Sequence, residues 1–232
     1  GLDPALPVGI GAPGAVSLKT GRMKNCNSTC LNGQPLREDL ESRLGRPVRI
    51  ANDADCLTLS EASDGAGKGK RSVFGVILGT GVGGGICYHQ RLLEGVNAIC
   101  GEWGHTTLPL SGYQQGANNL PEPVPRLRRC FCGRFDCVET WLAGPALERT
   151  YREVTGAALP ATAIDGDAAS GKPMAAAVLD QYCNLLALAL GGVINILDPD
   201  VIVLGGGVSN IESLYSLVPH YLPRYVFSDQ VN

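Results

Sequence analysis

Gly101-Glu102-Trp103-Gly104-His105, followed downstream by Cys130-Phe131-Cys132-Gly133 and then by Cys137 and Glu139, is the stretch from which the rest of the chain can be read. One histidine and three cysteines make a tetrahedral set. Zinc held by such a Cys3His set has no open position for a reacting water, so its role is structural and it staples a loop. Glu102 and Glu139 flank the ligands, so a metal on His105, Cys130, Cys132 and Cys137 would fix two carboxylates of a polar pocket, an arrangement suited to a polyhydroxylated ligand. Read singly, Cys132 and Cys137 could be buried thiols and His105 a satisfied core histidine. The Cys-x-Cys-x4-Cys spacing with Gly-His upstream favours metal binding.

The 232 residues suffice for one large domain or two small ones. Net charge is -3 and there is no basic block. Nucleic acid is therefore not an expected partner, because neutralising phosphates takes a clustered Lys/Arg face. Arg126, Arg128 and Arg129 form a tight basic group beside the cysteines. Of nine cysteines, the six outside the metal set have no disulfide-like spacing, which points to a reducing, cytoplasmic compartment. The longest apolar run, Leu185 to Leu197, is broken by Gly191, Gly192 and Asn195 and falls short of the ~20 residues of a membrane span, so a buried helix is expected.

From the N-terminus, Pro7 to Gly11 reads as a strand entering a turn, and Pro35 to Leu44 as an amphipathic helix ending at Gly45. Val48 to Ile50 reads as a strand that delivers Asn52-Asp53-Ala54-Asp55 at its carboxyl end, where ligands sit in open α/β sheets. Asp53 is placed there as a base, and Asp55 as the better cap of the following helix. Val73 to Leu78, a strongly apolar strand, runs into Gly79-Thr80-Gly81-Val82-Gly83-Gly84-Gly85, after which Ile86 to Tyr88 reads as strand again. Glycines 79, 81 and 84 fit G-x-G-x-x-G, but that fingerprint must open a helix, so a hairpin turn remains whose N–H groups and Thr80 hydroxyl can cradle phosphate oxygens. Leu110 to Pro125 reads as a surface loop, and Gly144 to Val154 and Pro173 to Leu197 as helices. Val201 to Leu204 reads as a buried strand ending in Gly205-Gly206-Gly207, with Ser209 and Glu212 spaced as a capping box for a helix whose N-terminus would face a nucleotide.

Together these motifs resemble the ROK family of sugar kinases and sugar-responsive repressors, over nearly the whole chain and most specifically at Leu78–Gly85, Gly101–His105 and Cys130–Gly144. The resemblance implies an α/β fold of the actin- and hexokinase-like, ribonuclease H-like class with two lobes, here with an incomplete N-terminal lobe (1–53) and a large lobe (54–232). It implies ATP-dependent phosphorylation of a sugar 6-hydroxyl, with N-acetylglucosamine foremost and glucose, fructose or N-acetylmannosamine as alternatives. Asp53 matches the catalytic base, Asn52, Glu102, His105 and Glu139 match sugar contacts, Gly79, Thr80 and Gly81 match a phosphate loop, and Gly205, Gly206 and Gly207 match the adenosine turn. ATP, Mg²⁺, structural zinc and a homodimer are implied with them.

Three features depart from the family pattern. Asp136 stands where glycine usually precedes the last cysteine, which matters if that position has a positive φ. Ala143 replaces the serine before Gly144. The opening Asp-x-Gly-x-Thr hairpin, part of the ATP and magnesium site, is missing, as is a final helix, so the chain is expected to be an inactive fragment of a complete kinase. The alternative class is a sugar-sensing repressor, whose DNA-binding part would lie upstream. Gly79-Thr80-Gly81 argues against it, because repressors of this family tend to lose that loop.

Overall fold

A computed structural model describes residues 6–114 and 127–231. The chain divides into two compact units, the first made of 1–75, 84–102 and 201–203 and the second of 76–83, 103–200 and 204–232. This grouping differs from the expected lobes, 1–53 and 54–232, in assigning 54–75, 84–102 and 201–203 to the first unit.

In the first unit, β1 (Val8–Ala12) pairs in parallel with β4 (Val48–Asn52), Val8 opposite Val48 and Ala12 opposite Asn52. The short strands β2 (Ala15–Val16) and β3 (Met23–Lys24) pair antiparallel beside them. Ala12, Met23 and Cys26 form a small core flanked by Val16, Leu31, Leu36 and Ile50. Helix α1 (Leu36–Leu44) starts after Pro35 and stops where Gly45 turns left-handed at φ 62, as expected, although Leu44 stays exposed. β4 runs directly into α2 (Asp53–Ser63), and the N-cap is Asn52, whose side chain accepts from Ala54 N–H at 2.8 Å. That corrects the assignment of the cap to Asp55, which lies in the first turn.

The larger sheet has the order β7-β6-β5-β8, from β5 (Ser72–Leu78), β6 (Val82–Tyr88), β7 (Arg91–Leu92) and β8 (Val201–Gly205). Gly83, Gly84 and Gly85 belong to β6 and not to the turn, which shrinks to Gly79–Gly81. The reason is packing. A Cβ at Gly75 or Gly85 would meet the hydroxyl of Thr58, a fully buried residue of α2, so glycine lets the helix lie against the strands.

In the second unit, α3 (Glu139–Leu142), α4 (Gly144–Thr155), α5 (Ala161–Ala169) and α7 (Leu214–Tyr221) pack around or near α6 (Pro173–Leu197). By length and composition α6 could cross a membrane, a property that the 13-residue run considered in the sequence understated. Most of its apolar window is buried against protein, and its polar residues are used inside. Asp180 accepts from Tyr221 O–H at 2.6 Å and Asn184 Nδ2 donates to the Gln114 carbonyl at 2.7 Å. The expected capping box does not form. A 3-10 turn, Gly207–Asn210, follows β8, Ser209 donates back to Gly206 O at 2.7 Å, and α7 begins only at Leu214. Of the expected loop Leu110–Pro125, residues 115–125 lie outside the described residues, as does Arg126.

Candidate functional site

A cavity of about 260 Å³ lies within the first unit, bounded by Gly14 to Val16, Ile50 to Asn52, Gly84, and the segments Leu92–Gly95 and Ala98–Cys100. Its carboxylate and amide side chains are Asn52, Asp55, Glu94 and Glu102, and no lysine, arginine or histidine lines it among the described residues. Two expected sugar contacts, Asn52 and Glu102, thus meet in one concave space. Asn52 is anchored at both ends of its amide, since Nδ2 also donates to Gly14 O at 3.0 Å. Asp53, exposed on the same first turn of α2, has its Oδ1 2.9 Å from Ala54 N, and it does not line the cavity.

The side chain that sequence reading misplaced is Asp55. It is half-buried against Gly85, and burial first, then the charges of Glu102, Glu94 and Asp53, push its carboxyl up to about 6. A carboxyl shifted this way by desolvation and like charges marks a candidate binding site.

In the second unit, His105, Cys130, Cys132 and Cys137 come together, with one potential ligand atom from each all within 4.8 Å of one another. His105 ends a 3-10 turn, Trp103–His105, held by the Trp103 indole N–H donating to Gly83 O at 2.9 Å. Its Nδ1 lies 3.5 Å from Cys130 Sγ, and Cys132 Sγ lies 3.6 Å from Cys137 Sγ. Backbone pairing aligns the set: Thr107 bridges Cys137, and Val138 N–H donates to Thr106 O at 2.9 Å. Burial first, then the neighbouring sulfurs of Cys132 and Cys130, push the Cys137 thiol up to about 12.

Glu139 follows the last cysteine, and its Oε2 accepts from Val82 N–H at 3.1 Å, just beyond the Gly79–Gly81 turn. That turn closes on itself, Gly79 N–H donating to Gly81 O at 3.0 Å, while Thr80 is exposed. Gly79 O accepts from Gly144 N–H at 2.8 Å. Gly206 sits at φ 86, where a Cβ would strike the Leu78 carbonyl, so the two glycine-rich turns abut and Gly205 and Gly207 flank the contact. The expected phosphate and adenosine turns are therefore neighbours, although a 3-10 turn replaces the helix N-terminus expected after the second.

The fold is that of solved sugar kinases with an actin-like ATPase architecture. The chain superposes on a ROK hexokinase from Thermus thermophilus with a TM-score of 0.76 at 30% identity, over 94% of this chain and 68% of that one. With a ROK family glucokinase from Streptomyces griseus, solved with glucose and AMPPNP, the TM-score is 0.79 at 27% identity, over 96% and 72%. The sequence profile of the ROK family matches residues 3–232, and the chain belongs to that family. It is 40% identical over 216 residues to an N-acetyl-D-glucosamine kinase of Pectobacterium atrosepticum, 93% of this chain and 69% of the relative.

Proposed function

We propose that the protein is a sugar kinase that transfers the γ-phosphoryl group of ATP to the 6-hydroxyl of N-acetyl-D-glucosamine. The 40% identity to an enzyme named for that reaction, across 93% of the chain, carries this reading. The cavity supports it, because acceptor groups without a cation suit a neutral, donor-rich sugar.

In this reading Asp53 takes the proton from O6 as that oxygen attacks the γ-phosphorus, and ADP departs with the electrons of the broken P–O bond. Asn52, Glu102, His105 and Glu139 hold the sugar, Gly79, Thr80 and Gly81 receive phosphate oxygens, and Gly205, Gly206 and Gly207 receive the adenosine. ATP arrives as its Mg²⁺ complex, which supplies neutralisation of charge on the phosphates. Positioning and charge stabilisation are most of what phosphoryl transfer asks of a protein, and a general base adds about 10²- to 10⁴-fold.

Zinc fits the cysteine–histidine set. With Zn–S about 2.3 Å and Zn–N about 2.0 Å, tetrahedral geometry puts two sulfurs about 3.8 Å apart and a sulfur and a nitrogen about 3.5 Å apart, against 3.6 Å between Cys132 and Cys137 and 3.5 Å between Cys130 and His105. His105 would bind through Nδ1, leaving Nε2 for the sugar. A homodimer and a cytoplasmic location complete the proposal, the latter supported by nine cysteines that are all free. The test is coupled ADP release by the full-length protein on N-acetylglucosamine, N-acetylmannosamine, glucose and fructose. The highest kcat/KM is expected on N-acetylglucosamine, and a preference of ten-fold or more for another sugar would reject the assignment.

A further inference from the structure

Residues 128–136 form a small hairpin that carries two of the sulfurs. Arg129 bridges Phe135, Cys130 N–H donates to Arg134 O at 2.8 Å, and Gly133 N–H closes on Cys130 O at 3.1 Å. Its base is irregular. Asp136 N–H donates to Arg128 O at 2.8 Å, as an antiparallel pair requires. The reciprocal bond is missing, because Asp136 takes φ 52 and its carbonyl instead accepts from Leu108 N–H at 2.8 Å, on the segment that follows His105. Arg128 N–H, on a residue 2% exposed, is thereby deprived of its ladder partner.

The Asp136 carboxylate fills that gap. Its Oδ1 accepts from Arg128 N–H at 2.9 Å and from the buried Trp141 indole N–H at 3.2 Å. The Arg128 guanidinium then lies 3.8 Å from the Trp141 ring centroid and donates to Thr140 O, Thr150 Oγ1 and Glu153 Oε2 at 3.0, 3.1 and 2.9 Å. The Asp136 carboxylate therefore ties the hairpin of Cys130 and Cys132 to the helix that begins with Glu139, and the Arg128 guanidinium ties it to the helix that begins with Gly144.

We propose that Asp136, acting with Arg128, is the positioning residue of the metal site: its side chain sets the hairpin so that Cys130, Cys132 and Cys137 face His105. The inference rests on the zinc reading above. A glycine at 136 would accept the positive φ with less strain, yet it would leave two buried N–H groups without this acceptor. What Asp136 adds over glycine is thus a pair of hydrogen bonds, not a backbone conformation. Partners of this kind, one step removed from a metal, tune its affinity by about 10- to 100-fold.

The experiment measures zinc content, then zinc release from the full-length protein to a chromogenic chelator, for wild type, Asp136→Gly and Asp136→Asn. Asparagine keeps the Oδ1 acceptor and tolerates left-handed backbone, so it should release zinc close to the wild-type rate. Glycine should release it about 10- to 100-fold faster at unchanged far-UV circular dichroism. If Asp136→Gly does not fold, Arg128→Met, which keeps the buried stem and loses the fork, provides the comparison, with faster release expected. Stoichiometric zinc in wild type with unchanged release from Asp136→Gly, or from Arg128→Met in its place, would overturn this inference alone. Loss in Asp136→Asn equal to that in Asp136→Gly would overturn it too. Wild-type protein without zinc would overturn the metal reading beneath it.

Discussion

At the scale of single residues, Asp53 and Asp55 are separated by one alanine, yet they stand in different surroundings. Asp53 is exposed on the first turn of α2, and Asp55 lines the cavity. Asp53→Asn is nearly isosteric and cannot take the O6 proton. Turnover should fall by about 10² or more with sugar affinity kept, and unchanged turnover would move the base elsewhere. Asp55 makes a prediction about stability. Its folded-state value, about 6, lies above the ordinary 3.8, so the folded protein holds this proton more tightly than the unfolded chain does. Stability linked to Asp55 is therefore present below pH 4, is lost as pH rises to 6, and stays lost above it. A full two-unit shift would be worth about 3 kcal/mol, and for a half-buried group screened by solvent about 1 kcal/mol is a sounder figure. Asp55→Asn should thus raise the melting midpoint by about 2–4 °C at pH 8 and leave it unchanged at pH 4. A gain of equal size at both values would mean that ionisation is not the cause.

At the scale of elements, α2 and its sheet show how small side chains set a spacing. A Cβ on Gly85 would collide first with the Thr58 hydroxyl, whereas one on Gly75 would also press on Thr58 Cβ and Cα, at 2.8 and 3.0 Å. Gly85→Ala should destabilise by about 1–3 kcal/mol, and Thr58→Ala should recover part of that loss. Gly75→Ala should be rescued less, because Thr58→Ala leaves the Cβ and Cα of residue 58 in place at 2.8 and 3.0 Å, whereas the other neighbours of a Cβ on Gly85, Asp55 Oδ1 and Ala54 O, stand at 3.0 and 3.1 Å. Denaturant titration of the three single and two double variants settles the matter, and equal rescue at both glycines would contradict this packing. These glycines also mark where sequence reading fell short. Glycine between strands reads as turn, and only the approach of Thr58 reveals Gly83 to Gly85 as strand. α6 was legible from its dense alanine and leucine and α4 as a helical stretch beyond Glu139, while α5 was missed because Ile164 is its only buried side chain. The grouping of His105 with Cys130, Cys132 and Cys137 was legible from spacing alone. The parts played by Arg128 and Asp136 were not, since nothing in the local sequence reveals that Asp136 turns its carbonyl toward Leu108. The Ser209–Glu212 capping box failed for a similar reason: it presumes a helix start, and the chain after Gly206 tightens into a 3-10 turn instead.

At the scale of the molecule, if the cavity holds the sugar as proposed, its charge should distinguish substrate from product. The chain carries a net charge of -3, and the lining of the cavity includes Asp55, Glu94 and Glu102 and, among the described residues, no lysine, arginine or histidine. A neutral sugar meets acceptors there, whereas its 6-phosphate brings about two negative charges near them. Two unit charges about 8 Å apart repel by about 2 kcal/mol at an effective dielectric of 20, and salt at physiological strength screens much of this. A net penalty of about 1.4 kcal/mol, ten-fold in affinity, is a reasonable expectation for the product. Thermal unfolding reads it directly. At 100 times its Kd, N-acetylglucosamine stabilises by about 2.7 kcal/mol, which for a chain of this size raises the midpoint by about 5–10 °C. The 6-phosphate at the same concentration should raise it by about 3–6 °C less, and the gap should narrow as sodium chloride is raised toward 1 M. Equal stabilisation by sugar and phosphate at low salt would show that donors elsewhere offset the carboxylates, and the acidic lining would then have no part in expelling product.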